Sequence, residues 1–183
     1  MDHQDHVNLL RGGVPSEGGV WADFGSGQGA FTLALAELIG PEGLIISVDS
    51  DQGSVKVQKD ALHARFPERP PKSMLYMVAD FTQSLDVPPL DGLVMANSLH
   101  FQRLQDKIVQ QVHAYLRPGG CFIVVEYNLS RGNPWIPFPV PFSTLKELAN
   151  RNGFTGTRLL ATRPSRVWGE IYSAIAFKPE ENL

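Results

Sequence analysis

Val20-Trp21-Ala22-Asp23-Phe24-Gly25-Ser26-Gly27-Gln28-Gly29 reads as a short buried strand that stops on three alternating glycines. The residues that follow, Ala30 to Ile39, form a strongly apolar helical run closed by Gly40-Pro41. Strand, glycine loop and helix in that order open an α/β unit, and the chain then repeats it. Leu44-Ile45-Ile46-Ser47-Val48 is a continuous apolar run suited to a strand covered on both faces, and it ends at Asp49. Ser54 to Phe66 predicts a helix with Val55, Leu62 and Phe66 turned inward; Met74 to Val78 predicts a strand ending at Asp80. Leu93 to Ala96 is another buried strand, left through Asn97-Ser98.

Leu104, Ile108, Val112 and Tyr115 share one helix face. Leu116-Arg117-Pro118-Gly119-Gly120 turns that helix into a fifth strand, Cys121 to Val125, which ends at Glu126. A further helix is expected from Ser143 or Thr144, where Thr144 and Glu147 stand at capping-box spacing, to Asn152-Gly153. Thr157 to Ala161 and Ile171 to Phe177 then read as two strands joined by a stretch too short for a crossover helix. The last strand must therefore run antiparallel, as a hairpin partner. The fold class is α/β: a mostly parallel sheet with an antiparallel C-terminal hairpin.

With 183 residues the chain holds one ordinary domain, placed at 20–183. Residues 1–19 read as a flexible lead-in or lid with one apolar patch at Val7, Leu9 and Leu10. The formal net charge of −3 disfavours nucleic acid as a partner, since it creates no field that would gather phosphates. No apolar run approaches the length of a membrane span, and Met1 to His6 is too polar for a signal peptide. Cys121 is the single cysteine, which excludes an internal disulfide and points to a reducing, cytoplasmic setting. No carboxylate cluster has metal-ligand spacing, so no metal is expected.

Glycines at 25, 27 and 29 let backbone N–H groups approach a ligand while the next helix points its positive end at the same place. Gly25, Gly27 and Ala30 also satisfy a relaxed dinucleotide fingerprint, so the spacing alone leaves a nicotinamide dinucleotide open. Asp23 weighs against it. A carboxylate at the end of the first strand repels a pyrophosphate and attracts the ammonium of an amino-acid ligand. Asp49, twenty positions after Gly29, is placed to hold a ribose diol, or else to cap the following helix. An amino acid joined to a nucleoside is S-adenosylmethionine.

The four stretches Val20 to Gly29, Val48-Asp49, Leu90 to Asn97 and Leu116 to Gly120 resemble the class I S-adenosylmethionine-dependent methyltransferases, a Rossmann-like family. The resemblance implies a three-layer sandwich with strand order 3-2-1-4-5-7-6 and a cofactor across the carboxyl ends of strands 1, 2 and 4. It implies cofactor contacts from Asp23, Gly25, Ser26, Gly27 and Gly29, and from Asp49 and Ser50 after the second strand. Asp80 and Phe81 would flank the adenine, although an Asp after a strand also caps turns. Asn97 and Ser98 would border the methionine portion.

A sulfonium methyl group is already activated for in-line displacement, so the protein has mainly to align and desolvate a nucleophile. Where that nucleophile is protic, a nearby base helps, and His100, after Asn97-Ser98-Leu99, is the candidate; a solvated histidine opening the next helix is the plainer reading. Glu126 and Tyr127 also end facing the substrate side, with pairing to Arg131 as the alternative for Glu126. The segment from Gly132 to Phe142 combines prolines with large aromatics and either walls a pocket or packs on the sheet. Arg163, Ser165 and Arg166 either meet an anionic substrate group or stay solvated. With little chain outside the core, the acceptor is expected to be a small molecule, with a homo-oligomer left open. The competing classes are a non-catalytic S-adenosylmethionine-binding subunit or sensor, and an NAD(P)-dependent oxidoreductase.

Overall fold

The computed structural model of the chain describes residues 1–14 and 18–180. Pro15-Ser16-Glu17, in the expected lead-in, and residues 181–183 lie outside the described residues. The elements run α1 (His3–Arg11), β1 (Val20–Phe24), α2 (Ala30–Ile39), β2 (Leu44–Asp49), α3 (Gln52–Arg65), β3 (Met74–Val78), β4 (Leu90–Ala96), α4 (Gln105–Tyr115), β5 (Leu116–Tyr127), α5 (Phe142–Arg151), β6 (Thr155–Pro164) and β7 (Glu170–Phe177). They form one seven-stranded sheet in the order β3-β2-β1-β4-β5-β7-β6. The first five strands are parallel; β7 pairs antiparallel to both β5 and β6.

Period-two alternation splits the core in two. Ala22, Phe24, Ile46, Val48, Leu93, Met95, Phe122 and Val124 face α4 and α5, whereas Trp21, Ile45, Val94, Ile123 and Val125 face α1 and α2. Because β1 lies between β2 and β4, the chain leaves β1 in one direction and returns on its other side. The carboxyl ends of β1 and β4 therefore border the crevice where open α/β sheets bind ligands. The hairpin tip, closed by a 2.7 Å bond from Ser165 N–H to the Gly169 carbonyl, stands beside the carboxyl end of β5, where Asn128 N–H bonds the Glu170 carbonyl at 2.9 Å. Among the described residues no helix is long and apolar enough to cross a membrane.

Four details differ from the sequence reading. Residues 3–11, expected within a flexible lead-in, form a helix. Asp2 and Asp5 cap it reciprocally, Val7, Leu9 and Leu10 are buried, and His3 and Arg163 hold it through Glu37 and Asp5 at 2.7 and 2.8 Å. Leu104 is 69% exposed and precedes α4, whose inner face is Ile108, Val109 and Val112. The Thr144–Glu147 capping box does not form, because α5 starts two residues earlier behind Pro141. Finally, Leu116 to Gly120 belongs to β5 as an irregularity. Leu90 pairs with Leu116 and Gly92 with Cys121, so the extra residues bulge out and Arg117 pairs with Asp91.

The docking of α1 has a measurable consequence. Leu10→Ala should lower stability to urea unfolding by about 2–4 kcal/mol, the cost of a cavity under a fully buried leucine. An unchanged unfolding midpoint would mean that the helix does not belong to the cooperative unit.

Candidate functional site

The glycine loop is closed against the end of β2. Gly25 and Ser26 N–H groups both donate to the Val48 carbonyl at 2.9 and 3.1 Å, and Gly27 N–H donates to Asp49 Oδ2 at 2.7 Å. Gly29 N–H bonds the Ser26 carbonyl at 2.9 Å. These amides, which the sequence reading left exposed for a ligand, are therefore satisfied inside the protein. What the loop offers is room: a Cβ added at Gly27 would meet nothing within 4 Å. Gly25, at φ +74°, is needed for the opposite reason, since a Cβ there would stand 2.5 Å from Ser98 Cβ and 3.2 Å from the Phe81 ring.

Asp49 does not cap α3. Asp51 does, accepting from Gly53 and Ser54 N–H at 3.1 and 3.0 Å, while Asp49 Oδ1 accepts from Asp51 N–H at 2.9 Å. Each Asp49 oxygen keeps lone-pair capacity for a further donor. Ser50 follows it and is exposed.

Behind the loop lies a polar chain that the sequence reading missed. Asp23, 1% exposed, accepts from the Thr32 hydroxyl at 2.5 Å through Oδ2. Gln58 Nε2 donates to that hydroxyl at 2.5 Å, and Gln58 Oε1 accepts from Ser47, which also reaches Ser26, each at 2.8 Å. A glutamine inside an amphipathic helix and a serine inside an apolar strand were the available signals. Oδ1 of Asp23 is buried with no partner. Burial pushes the carboxyl up from the ordinary 3.8 to about 7, against the pull of the Thr32 bond and with a smaller upward push from Asp49.

Across the crevice, Asn97 ends β4 with φ +52°, the one positive-φ residue besides glycine among the described residues. Its N–H bonds the Val125 carbonyl at 2.8 Å, yet its side-chain Oδ1 is also buried without a partner. Ser98 turns its hydroxyl to the Phe24 carbonyl at 2.8 Å, tying β4 to β1. Two orphaned acceptors thus sit at the carboxyl ends of neighbouring strands, and each costs about 1–3 kcal/mol until a donor arrives. A ligand ammonium is such a donor, so the residues present fit the amino-acid end of S-adenosylmethionine. Phe81 packs flat on Phe24 at 6.1 Å, and Gln111 Nε2 holds the Phe81 carbonyl at 3.2 Å. Asp80 is exposed and caps a turn through Thr82 N–H at 2.9 Å, which lowers its carboxyl.

His100 is not a solvated helix opener. It is 3% exposed, in a short 3₁₀ turn over Leu99–Phe101, and its Nδ1 lies 2.6 Å from Glu126 Oε2. Glu126 Oε1 accepts from Leu99 and His100 N–H at 3.1 and 3.2 Å, so this carboxylate pairs with His100 rather than with Arg131. Tyr127 points to the opposite sheet face, edge-on to Trp168 at 5.2 Å, and Trp168 meets Trp135 at 5.9 Å. Phe138 N–H bonds the His100 carbonyl at 3.0 Å. The proline-aromatic segment therefore bridges from the His100 turn to the hairpin tip, across the end of β5. A cleft of about 500 Å³ opens between the start of α1 and that tip, lined in part by Tyr127, Arg166 and Val167. Arg163, at its wall, is paired with Asp5.

A family profile described as a methyltransferase domain matches residues 22–120, more than half of the chain. A ribosomal RNA small subunit methyltransferase H from Desulfosudis oleivorans is 36% identical over 94 residues, covering 48% of this chain and 28% of that protein. The chain thus spans little more than a quarter of this curated relative. Among solved structures, a SAM-dependent methyltransferase from Aquifex aeolicus superposes with TM-score 0.73 at 15% identity, covering 97% of this chain and 89% of the other. A phosphoethanolamine N-methyltransferase from Haemonchus contortus, in complex with phosphomonomethylethanolamine and S-adenosylhomocysteine, superposes with TM-score 0.75 at 15% identity, covering 97% of this chain and 52% of the other.

The raised Asp23 carboxyl makes stability depend on pH in a defined direction. The native state holds the proton more tightly than the unfolded chain, so this group's contribution falls as pH rises from about 4 to about 7 and is constant above. Asp23→Asn should remove that slope, so that the ligand-free variant matches or exceeds the wild-type melting temperature at pH 8. A wild-type minus variant difference that stays flat between pH 4 and 7 would show that Asp23 titrates normally.

Proposed function

The chain belongs to the methyltransferase-domain family, and on that premise we propose that it transfers a methyl group from S-adenosylmethionine to a small-molecule acceptor. The observation that carries the reading is the pair of unpartnered buried acceptors, Asp23 Oδ1 near the end of β1 and Asn97 Oδ1 just after β4. When bound, S-adenosylmethionine supplies a sulfonium-activated methyl group open to in-line displacement. The chain's own residues bind, orient and exclude water. Asp23 receives the ammonium, and its carboxyl, near 7 in the free protein, becomes fully ionised against that charge. Asn97 supplies a second acceptor to the same end. Gly25, Ser26, Gly27 and Gly29 line the approach, and the open space beside Gly27 admits the ligand backbone.

Asp49 takes the ribose hydroxyls on the lone pairs that Gly27 and Asp51 leave free, with Ser50 beside it. Asp80 and Phe81 border the adenine, and Ser98 keeps the β1–β4 crevice at its width. His100 is the base for a protic acceptor. The small-molecule reading rests on the cleft at the hairpin tip and on a net charge that gathers no phosphates. The ribosomal RNA relative is matched over too little of its length to carry its acceptor here. A dinucleotide is disfavoured because Asp23 would face a pyrophosphate with no cation between them.

Calorimetric titration tests the reading. S-adenosylhomocysteine should bind and NADH should not, and Asp49→Ala should weaken that binding by about 1–3 kcal/mol through lost charged hydrogen bonds. Tight binding of NADH alone would overturn the assignment, and an unchanged affinity in the variant would remove Asp49 from the site.

A further inference from the structure

We propose that the acceptor is a weakly acidic hydroxyl on an aromatic frame, deprotonated by Nε2 of His100, with Glu126 as the residue that sets His100's tautomer and orientation. This rests on the methyltransferase reading above and narrows its acceptor.

The argument starts from how fully Glu126 is committed. It is 0% exposed at the end of β5, and its two oxygens are taken by three groups of one short segment: the N–H of Leu99, the N–H of His100 and the His100 ring. A carboxylate accepts and does not donate, so the ring nitrogen facing it must carry a proton. That fixes neutral His100 as the Nδ1–H tautomer and leaves Nε2 as the acceptor, without a hydrogen-bond partner among the described residues. Glu126 is also the one charged group bonded to the ring among the described residues. The neighbouring titratable groups are Tyr127 and Tyr172. Burial first and the Glu126 charge second push both hydroxyls up, so they stay neutral. An imidazolium formed at His100 is consequently stabilised by a buried anion already in place, the arrangement that lets an imidazole accept a proton during reaction.

A base of this kind contributes only where the attacking atom loses a proton. A neutral amine attacks through its lone pair and a thiolate is already ionised, so neither needs it. A hydroxyl does. His100 Nε2 takes the hydroxyl proton as the oxygen lone pair forms the bond to the methyl carbon, and the carbon–sulfur bond breaks toward sulfur, which becomes a neutral thioether. The proton on His100 then leaves to water. The surroundings favour an apolar frame for the hydroxyl: the Phe101 ring lies 4.2 Å from the His100 ring and is largely exposed, and Phe138, tied through its N–H to the His100 carbonyl, and Trp135 further along the same bridge are exposed aromatics as well. Flat apolar walls next to one fixed acceptor atom suit a phenolic ring.

The test uses the full chain, S-adenosylmethionine and matched probes: phenol, catechol, 4-nitrophenol and aniline. Wild-type protein should methylate an unactivated phenol at oxygen, with kcat rising along a single acid limb as pH increases. Glu126→Gln should lower kcat for the unactivated phenol about 100-fold or more by presenting an N–H to Nδ1 and forcing the wrong tautomer. It should leave S-adenosylhomocysteine affinity within about twofold and cost far less with 4-nitrophenol, which is ionised without help. Nitrogen-15 NMR of the wild type should show neutral His100 protonated on Nδ1, a readout that does not depend on the variant folding. Methylation of aniline but no phenol, equal losses for both phenols in the variant, or an Nε2-protonated His100 would each overturn the inference. Failure of the wild type to bind S-adenosylhomocysteine would instead overturn the methyltransferase reading itself.

Discussion

The Val48 carbonyl at the end of β2 accepts from two consecutive loop amides, and Asp49 beside it accepts from a third. This closure decides where everything else in the site can be. It holds the glycine loop against β2, with Gly25 pressed on Ser98 beyond β4 and free space left beside Gly27. It also spends amide donors that would otherwise cradle an anion. In the proposed function recognition at this loop would fall to the buried, unpartnered side-chain acceptors instead of backbone N–H groups, which favours a ligand that brings its own donors. A cationic amino-acid end is such a ligand; a pyrophosphate is not.

The loop is supported from beneath by a continuous run of hydroxyls and an amide from Asp23 through Thr32, Gln58 and Ser47 to Ser26. A buried polar chain of this kind is stable only when its members satisfy one another, and all of them do except Asp23 Oδ1. The exception falls at the β1 end of the network. Because Thr32 belongs to the first turn of α2 and Gln58 to α3, the same bonds that orient Asp23 also lock two helices to the loop. A change at Gln58 would therefore be felt at the site without touching a ligand.

Much of this was legible in the residues. The alternation of apolar runs with helical patterns predicts the strands, and the short spacing between Ala161 and Ile171 requires the antiparallel hairpin. Gly25 and Ser98 do come together, since a Cβ at Gly25 would stand 2.5 Å from Ser98 Cβ and Ser98 bonds the Phe24 carbonyl. What the sequence could not show were pairings set by the third dimension. Residues 3–11 are too short to stand out, and become a helix because Val7, Leu9 and Leu10 find α2 and the hairpin to cover them. Leu104 fits the apolar spacing of α4 but lies just before the helix starts, where the spacing no longer applies. Glu126 and Arg131 are close in sequence, yet β5 carries Glu126 alongside the end of β4, and His100 is the cation-capable group it meets.

The two buried carboxylates at the crevice show how position assigns work to the same chemistry. Asp23 has one oxygen bonded and one empty, and burial lifts its carboxyl to about 7, so its charged form gains from a cation brought by a ligand. Glu126 has both oxygens filled by protein donors and reaches the ligand side only through His100. An anion with an empty site binds; an anion whose sites are full orients. The first keeps an oxygen free for a donor from outside the protein, and the second is spent on the Leu99–His100 segment, with Nδ1 of His100 turned toward it. The carboxylates lie near the ends of β1 and β5 with β4 between them, and the positive-φ turn at Asn97 closes that intervening strand.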